Sequence, residues 1–323
     1  MSAQTSLKED KIAIIGSGLI GSSFAMLFAC AGYQVSLYDE LDEQVDRARD
    51  EIHAKLAALR DQGLARGSLT LEQQAARVAG QHDLQECVRD AIFIQECVPE
   101  NLEMKKSVWK KIDSLDIKDD VILSSSASAI VPSKISEELA HRSRFVVSHP
   151  TNPPFYCPLL EIIPAPWTDP GVVVKTKSLM QELGQDPVIL NKEINGFVLN
   201  RIQYAIFGEC YRLVEDGIIS VQDCDKVMSS GLGTRYAFMG PFETGYLNAE
   251  GFESYCDRYR DMIYKLQTEL GSPRLMGGDT MRRIHEDVGN MFGSVENIGQ
   301  RRQWRDDRLA ALAKLKKDAD KQN

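Results

Sequence analysis

The chain has 323 residues, and its 43% hydrophobic and 26% charged content is typical of a globular protein rather than a disordered one. Its length suggests about two domains. Asp and Glu (47) outnumber Lys and Arg (38), and the resulting net charge of −9 argues against nucleic acid or an anionic membrane as a partner.

No apolar stretch approaches the roughly 18 residues of a membrane span, and the polar N-terminus is unlike a secretory signal. The seven cysteines are scattered, odd in number and without a C-x-x-C pair, which disfavours a disulfide framework and a thiolate metal site. We therefore expect no metal, no membrane and a reducing, cytoplasmic compartment.

Short apolar segments alternate with amphipathic stretches between residues 11 and 190, and this alternation predicts parallel βαβ units. The early segments are apolar nearly throughout, as expected for a sheet covered on both faces. The predicted strands are 11–15, 34–39, 91–96, 121–125, 144–149, 159–164 and 187–190.

The pattern changes after about Lys192. Apolar residues recur every three or four positions from Val198 to Leu213, which predicts a long helix. Residues 220–323 favour further helices, broken at Gly231-Leu232-Gly233, Gly240-Pro241 and Gly271-Ser272-Pro273. We therefore expect a doubly wound α/β domain over 1–192, followed by an all-α domain over 193–323.

Residues 16–21, directly after the first predicted strand, read G-S-G-L-I-G and lead into a helical pattern. In this dinucleotide-binding (Rossmann-type) fingerprint, Gly16 permits a tight turn, Gly18 lets the backbone approach a pyrophosphate, and Gly21 allows close helix–strand packing. The free N–H groups at the start of the helix bind phosphates. The predicted cofactor residues in this loop are Gly16, Gly18, Leu19, Ile20 and Gly21.

The second predicted strand ends in Asp39, whose carboxylate would accept a hydrogen bond from a ribose hydroxyl and repel a 2′-phosphate. Glu40 follows and no Arg stands beside the two, so the sequence predicts NAD rather than NADP. An Asp here can also cap the next helix, but the glycine motif favours the ribose role.

Three segments near later strand ends carry candidate chemistry: the Ser-rich loop at 124–128, His149 and Glu161. A lone His at a strand end is often merely buried and hydrogen-bonded, but the carboxyl edge of a parallel sheet is also where ligands bind. Glu161 is flanked by apolar residues, so it needs a partner, either His149 or an Arg.

NAD-dependent oxidation of an alcohol requires a base for the hydroxyl proton, and His has a suitable ordinary pKa. Glu161 would fix the tautomer of His149 and stabilise its cation. Ser128 and Asn200 are candidates to hold the substrate oxygen or the imidazole; spacing alone does not establish these contacts.

Together these motifs resemble the 3-hydroxyacyl-CoA dehydrogenase family along most of the chain. The matching features are G-S-G-L-I-G, E-x-V-P-E-N-L-x-x-K (96–105), the Ser loop, H-P-x-N-P-P, L-x-E-I and G-F-V-L-N-R (196–201). The resemblance implies that His149 and Glu161 are the catalytic pair and that Ser128 and Asn200 contact substrate or the His. It also implies that Glu100 and Lys105 line the nicotinamide-ribose side, and that the chain forms a homodimer through its helical domain.

In the helical domain the sequence also resembles one branch of this family. The resemblance implies oxidation of the C3 hydroxyl of L-gulonate to 3-dehydro-L-gulonate. Such a substrate is small and anionic. We expect Arg235 to receive its carboxylate, because Arg binds carboxylates in a bidentate manner; a salt bridge between two helices is the alternative role. Arg301, Arg302 and Arg305 in the basic C-terminal segment are weaker candidates. That segment otherwise fits a solvated packing helix, a dimer contact or a lid.

The same fold and chemistry are also compatible with a different substrate: a 3-hydroxyacyl-CoA, 3-hydroxybutyrate or carnitine. A CoA ester needs a basic patch, and residues 53–70 carry only the scattered Lys55, Arg60 and Arg66. Carnitine would need an aromatic or acidic cradle for its trimethylammonium group. A structural protein without turnover is the alternative from a different class, which the intact set of candidate catalytic residues disfavours.

Overall fold

The computed structural model describes residues 5–320. One eight-stranded sheet forms the centre of the first part of the chain. Its strands are β1 (Lys11–Ile15), β2 (Gln34–Tyr38), β3 (Val78–Gln81), β4 (Ala91–Glu96), β5 (Ile122–Ser125), β6 (Phe145–Pro150), β7 (Leu159–Pro164) and β8 (Asp186–Ile189). Their spatial order is β3-β2-β1-β4-β5-β6-β7-β8. The order reverses between β1 and β4, which makes that edge the expected ligand site of a doubly wound sheet.

Two features of the sheet differ from the sequence prediction. The edge strand β3 was not predicted, because its four residues include Ala79 and Gly80 and only Val78 is buried. The expectation of parallel units throughout is wrong for β7, which pairs with β6 in the antiparallel direction. No helix lies between these two strands, and a short loop can join only antiparallel neighbours.

Helices cover both faces of the sheet, as the apolar strands predict. They are α1 (Leu19–Cys30), α2 (Asp42–Asp61), α3 (Leu71–Ala76), α4 (Leu84–Val88), α5 (Leu102–Asp113), α6 (Pro132–Ser136) and α7 (Pro170–Glu182). Phe28 and Phe93 are fully buried in the core on one face. On the other face Trp109 packs edge-on against Phe145, with ring centroids 5.0 Å apart. Burying this apolar surface holds the strand ends in fixed positions.

The rest of the described chain is helical, as predicted. Its helices are α8 (Leu199–Glu215), α9 (Val221–Lys226), α10 (Gly233–Tyr236), α11 (Pro241–Asn248), α12 (Phe252–Glu269), α13 (Gly278–Phe292) and α14 (Ile298–Asp320). The break predicted at Gly231–Gly233 is wrong, because a π-helical segment, Val227–Leu232, connects α9 to α10. The breaks at Gly240 and Gly271 do separate helices.

The chain forms two compact units. The first runs to Arg201 and includes Leu309–Lys314, and the second contains Ile202–Arg308. The domain boundary at 192/193 remains a prediction, and the compact units divide later, inside α8. Within residues 5–320, no helix is long and apolar enough to cross a membrane. The same residues contain no group of three or more His, Cys, Asp or Glu that could hold a metal ion.

Candidate active site

The glycine loop after β1 is shaped by close backbone contacts. Gly16 has φ of +100°, and a Cβ there would lie 2.9 Å from the carbonyl carbon of Cys97. A Cβ on Gly21 would lie 1.9 Å from the carbonyl oxygen of Gly16. A Cβ on Gly18 would meet no atom within 4 Å, so that glycine borders open space. The three glycines thus occupy the positions that a tight turn, an approaching ligand and close packing require.

Helix α1 begins at this loop with Gly18 as its N-cap, which supplies no side-chain hydrogen bond, and the first turn holds no acidic residue. Its N-terminal N–H groups therefore lack the side-chain acceptors that usually satisfy a helix start. Such a terminus binds anions well.

Asp39 follows β2 and is fixed to the glycine loop. Its Oδ2 accepts hydrogen bonds from the backbone N–H and the hydroxyl of Ser17, both at 2.8 Å. Asp39 and the exposed Glu40 line the same cleft. A 2′-phosphate beside these two carboxylates would be repelled, which fits NAD.

A cleft of about 590 Å³, here called the Gly-loop cleft, opens at the carboxyl ends of β1, β2, β4 and β5. This volume is in the range of cofactor sites. Of the predicted residues, those lining it are Gly16, Gly18, Leu19, Ile20, Asp39, Glu100 and Ser128. An apolar wall of Leu41, Leu84, Met104 and Val108 was not predicted. Met104 and Val108 lie one turn apart on α5, but Leu84 is on α4 and Leu41 precedes α2, so no single local pattern identifies the wall. Shape, glycine cradle and carboxylates together fit NAD.

Gly21 and Lys105 do not line the cleft. Gly21 acts in packing, as expected. The Lys105 ammonium is buried, 2.8 Å from Glu96 Oε1 and 3.8 Å from Glu100 Oε2. Direct contact between Lys105 and a cofactor therefore remains a prediction, and the geometry connects this lysine to the cleft through Glu100.

Glu100 holds the Ser-rich loop. Its Oε1 accepts backbone N–H groups from Ser128, Ala129 and Ile130 at 2.9, 2.8 and 3.3 Å. The carbonyl oxygen of Ser128 accepts a hydrogen bond from the Asn200 side-chain amide at 2.7 Å. Three predicted site residues are thus brought together by direct hydrogen bonds.

His149 and Glu161 form a buried pair, 6% and 1% exposed. They are register partners on β6 and β7, and His149 Nδ1 is 2.9 Å from Glu161 Oε2. With an ionised carboxylate, Nδ1 carries the proton and Nε2 is the basic atom of the ring. The antiparallel pairing of β7 therefore creates the pair that the sequence predicted.

The second carboxylate oxygen of Glu161 binds the start of α8. Its Oε1 accepts the backbone N–H groups of Val198 and Leu199 at 2.8 and 3.0 Å. Burial by itself raises the pKa of Glu161, but the hydrogen bond from His149 and these two N–H groups outweigh it, and the net pKa is lowered. The carboxylate is therefore kept in its charged form.

The segment before α8 turns through two left-handed residues, Gly196 with φ of +74° and Phe197 with φ of +50°. A phenylalanine in this conformation is uncommon. Phe197 is fully buried, and its ring centroid lies 5.4 Å from that of His149. The turn presents the next two N–H groups to Glu161 and places a ring against the imidazole. This contact of Phe197 with His149 was not predicted from the sequence.

The predicted basic residues differ in their surroundings. Arg235 is exposed in α10, and none of the ion pairs among residues 5–320 includes it. Its alternative role as an interhelical salt bridge is thus not observed there, and its carboxylate-binding role remains a prediction. Arg301 stacks on Trp304, 3.6 Å from the ring centroid, and Arg305 pairs with Asp306. Arg302 remains a weaker candidate.

The scattered cations of residues 53–70 do not form a patch. Lys55 pairs with Glu51, and Arg60 pairs with Asp61. Arg66 donates to the backbone carbonyls of Phe155 and Leu183, and its burial lowers its pKa. Arg66 is therefore bound to the protein backbone, which further disfavours a CoA phosphate site in this segment.

Comparison with known proteins agrees with this geometry. Residues 11–194 match the NAD binding domain of 3-hydroxyacyl-CoA dehydrogenase, and residues 196–287 match its C-terminal domain. The Lambda-crystallin homolog of Rattus norvegicus is 48% identical over 306 residues, covering 94% of this chain and 96% of the relative. An L-carnitine dehydrogenase from a Pseudomonas species is 34% identical over 304 residues, covering 93% and 92%.

A solved structure has the same overall fold. It is the 5-formyl-3-hydroxy-2-methylpyridine 4-carboxylic acid 5-dehydrogenase, described as an NAD⁺-dependent dismutase. It superposes with a TM-score of 0.78 at 29% identity, covering 95% of this chain and 97% of the other. The chain is thus similar along nearly its whole length to an L-carnitine dehydrogenase and to an NAD⁺-dependent enzyme.

Proposed function

The chain belongs to the 3-hydroxyacyl-CoA dehydrogenase family and is an NAD-dependent hydroxy-acid dehydrogenase, and we propose that it oxidises the C3 hydroxyl of L-gulonate to 3-dehydro-L-gulonate. The proposed oxidation rests on the buried pair of His149 and Glu161, whose Nδ1 and Oε2 atoms are 2.9 Å apart. The choice of L-gulonate as substrate is supported by the sequence resemblance that extends through the helical part of the chain.

In the proposed mechanism His149 is the general base. Nδ1–H donates to Glu161, which leaves Nε2 to remove the proton from the substrate hydroxyl. Glu161 keeps its charge through two backbone N–H groups and so stabilises the imidazolium that forms. Bound NAD supplies the hydride acceptor. Loss of the proton from the hydroxyl oxygen and of a hydride from the carbon that bears it turns the alcohol into a ketone.

Ser128 and Asn200 position the substrate in this proposal. Ser128 lines the Gly-loop cleft, and its carbonyl oxygen is bound by Asn200. Glu100 fixes the same loop by accepting three backbone N–H groups. Because its backbone N–H and carbonyl are both hydrogen-bonded, Ser128 lines the cleft from a fixed backbone, which lowers the entropy lost on binding.

The proposed substrate class is a small carboxylate rather than a CoA ester. Lys55, Arg60 and Arg66 already have partners within the protein, and no residue of 53–70 lines the Gly-loop cleft, so this segment offers it no phosphate site. Arg235 is the proposed carboxylate receptor, because it is exposed and no ion pair among residues 5–320 engages it.

Carnitine is the second candidate substrate, favoured by the 34% identity to the Pseudomonas L-carnitine dehydrogenase. It shares the 3-hydroxy acid group and differs by its cationic trimethylammonium. A 3-hydroxyacyl-CoA or 3-hydroxybutyrate would use the same base. A crystallin-like structural protein would bind NADH without turnover.

The deciding experiment is NADH formation with L-gulonate, carnitine, 3-hydroxybutyrate and 3-hydroxybutyryl-CoA in parallel, each with NAD and NADP. Preference for L-gulonate with NAD supports the proposal. Preference for carnitine or the CoA ester contradicts L-gulonate as the substrate but is compatible with His149 as the general base. NADH binding without turnover on any of the four contradicts the catalytic proposal.

We also propose a homodimer through the helical unit and a cytoplasmic location. Light scattering on the purified protein tests the first, since a single-chain mass would contradict it. Microscopy of the tagged protein in its source cells tests the second.

A further inference from the structure

A buried ion pair lies beneath the Gly-loop cleft. Lys105 Nζ is 2.8 Å from Glu96 Oε1, and the side chains are 1% and 0% exposed. Removing two charges from water is costly, and apolar residues of similar volume often stabilise a core equally well. Stability alone therefore does not explain a buried ion pair in this position, and the adjacent cleft suggests its role.

The Glu96 carboxylate is saturated with donors from three elements. Oε1 accepts the Lys105 ammonium and the Val98 N–H, both at 2.8 Å. Oε2 accepts the Ser125 hydroxyl at 2.6 Å and the Trp109 indole N–H at 3.2 Å. Glu96 thus joins the carboxyl ends of β4 and β5 to helix α5, directly under the loops that line the cleft.

Lys105 connects this buried carboxylate to the cleft itself. Besides Glu96, its ammonium donates to the Val98 carbonyl at 3.1 Å and lies 3.8 Å from Glu100 Oε2. The other oxygen of Glu100 holds the Ser128 loop through backbone N–H groups. A continuous chain of polar contacts therefore runs from Glu96 through Lys105 and Glu100 to Ser128.

We propose that Glu96 is a positioning residue of the cofactor site, which holds Lys105 and thereby sets the Glu100 carboxylate and the Ser128 loop at the cleft. Among the ion pairs of residues 5–320, Lys105 has two partners, Glu96 and Glu100. Without the charge of Glu96, the ammonium is no longer fixed beside Glu100, and the Glu100 carboxylate loses this support. The inference depends on the NAD cleft and not on which hydroxy acid is oxidised.

The test begins with Glu96→Gln, which keeps the size and removes the charge. The readouts, none of which needs a substrate, are NADH affinity by fluorescence titration and the melting temperature of the ligand-free protein. We expect the NADH dissociation constant to rise about tenfold, as for a lost charged hydrogen bond. We expect the melting temperature to fall by on the order of 10 °C, because a buried charge loses its partner.

A second variant, Glu96→Gln with Lys105→Met, separates positioning from stability. Removing the unpaired ammonium should restore most of the melting temperature, while NADH affinity stays low because Glu100 is no longer held. Recovery of NADH affinity together with the melting temperature would overturn the proposal. Glu137→Gln is the matched control, since Glu137 pairs with the neighbouring Lys106 on the surface at 2.9 Å, and it should change neither quantity.

A double-mutant cycle tests the route through Glu100. Glu100→Gln should weaken NADH binding, and adding Glu96→Gln should weaken it no further if Glu96 acts through Glu100. Fully additive effects of the two substitutions would refute that route. Because NADH binding is measured without a hydroxy acid, failure of L-gulonate turnover leaves this test intact.

Discussion

Glu161 lies directly opposite His149 on an antiparallel strand, with its Oε2 2.9 Å from Nδ1 of the imidazole. The other oxygen of the same carboxylate binds two N–H groups at the start of α8. One buried carboxylate thus orients the proposed base and fixes the segment that carries Asn200.

His149→Gln should lower turnover by about 10²–10⁴-fold, the usual contribution of a general base. NADH affinity should stay within about twofold, because the residues lining the Gly-loop cleft are unchanged. The measurements are steady-state rates and an NADH titration. Activity within a few fold of the parent would show that another group removes the proton.

Glu161→Gln should lower kcat roughly a hundredfold or more, because the amide neither fixes the tautomer nor stabilises the cation. A second His–carboxylate pair outside the proposed site serves as the control. In it, His141 Nδ1 is 2.7 Å from Asp113 Oδ1. Asp113→Asn should therefore leave kcat unchanged. Equal losses in the two variants would mean that the Glu161 effect is structural.

Glu161 should also make stability depend on pH. Its folded-state pKa is lowered from the ordinary 4.5, so the unfolded chain takes up a proton first as the pH falls. The stabilisation is complete above about pH 4.5 to 5 and is lost as the pH falls through the lower folded pKa. Urea denaturation at several pH values should show a smaller acid-induced loss for Glu161→Gln than for the parent. Parallel pH profiles for the two proteins would contradict this linkage.

Gly21→Ala and Gly18→Ala form a matched pair in the glycine loop. The Gly21 methyl would collide with the Gly16 carbonyl, so we expect the melting temperature to fall by about 3–10 °C and NADH binding to weaken. The Gly18 methyl meets open space at the cleft, so stability should hold within about 2 °C while NADH binding weakens about tenfold. Unchanged NADH affinity in Gly18→Ala would mean that the cofactor phosphates do not bind at this loop.

Asp39→Asn should reduce the preference for NAD over NADP by about tenfold or more, because the charge that repels a 2′-phosphate is removed. Asp39 is fixed by two hydrogen bonds from Ser17, whereas Glu40 is exposed. Glu40→Gln should therefore have the smaller effect. The ratio of kcat/KM for the two cofactors measures both, and a larger effect at Glu40 would reassign the ribose contact.

Arg235→Ala should raise KM for L-gulonate about tenfold or more and leave NADH affinity unchanged, since only the carboxylate contact is lost. Arg258, another exposed arginine of the helical unit, provides the control variant Arg258→Ala. An unchanged KM in Arg235→Ala would point to the arginines of α14 as the carboxylate site.

The local signals in the sequence were sufficient for the fold class and the cofactor loop. The glycine spacing and the apolar strands depend on backbone sterics and burial, which act over a few residues. They predicted the sheet, the NAD cleft and the helical second part. The prediction was wrong where the signal was weak, as for the edge strand Val78–Gln81, or where a glycine pair did not interrupt a helix, as at Gly231–Gly233.

The sequence by itself identified the candidates for the chemistry: His149, Glu161, Asp39 and the glycines. The tertiary structure decided how they are connected, because hydrogen bonds join residues that are distant along the chain. The antiparallel β7 brings Glu161 opposite His149, and a left-handed turn at Phe197 aims two N–H groups at the same carboxylate. The burial of Glu96 with Lys105 likewise depends on packing between strand and helix, which no local pattern encodes.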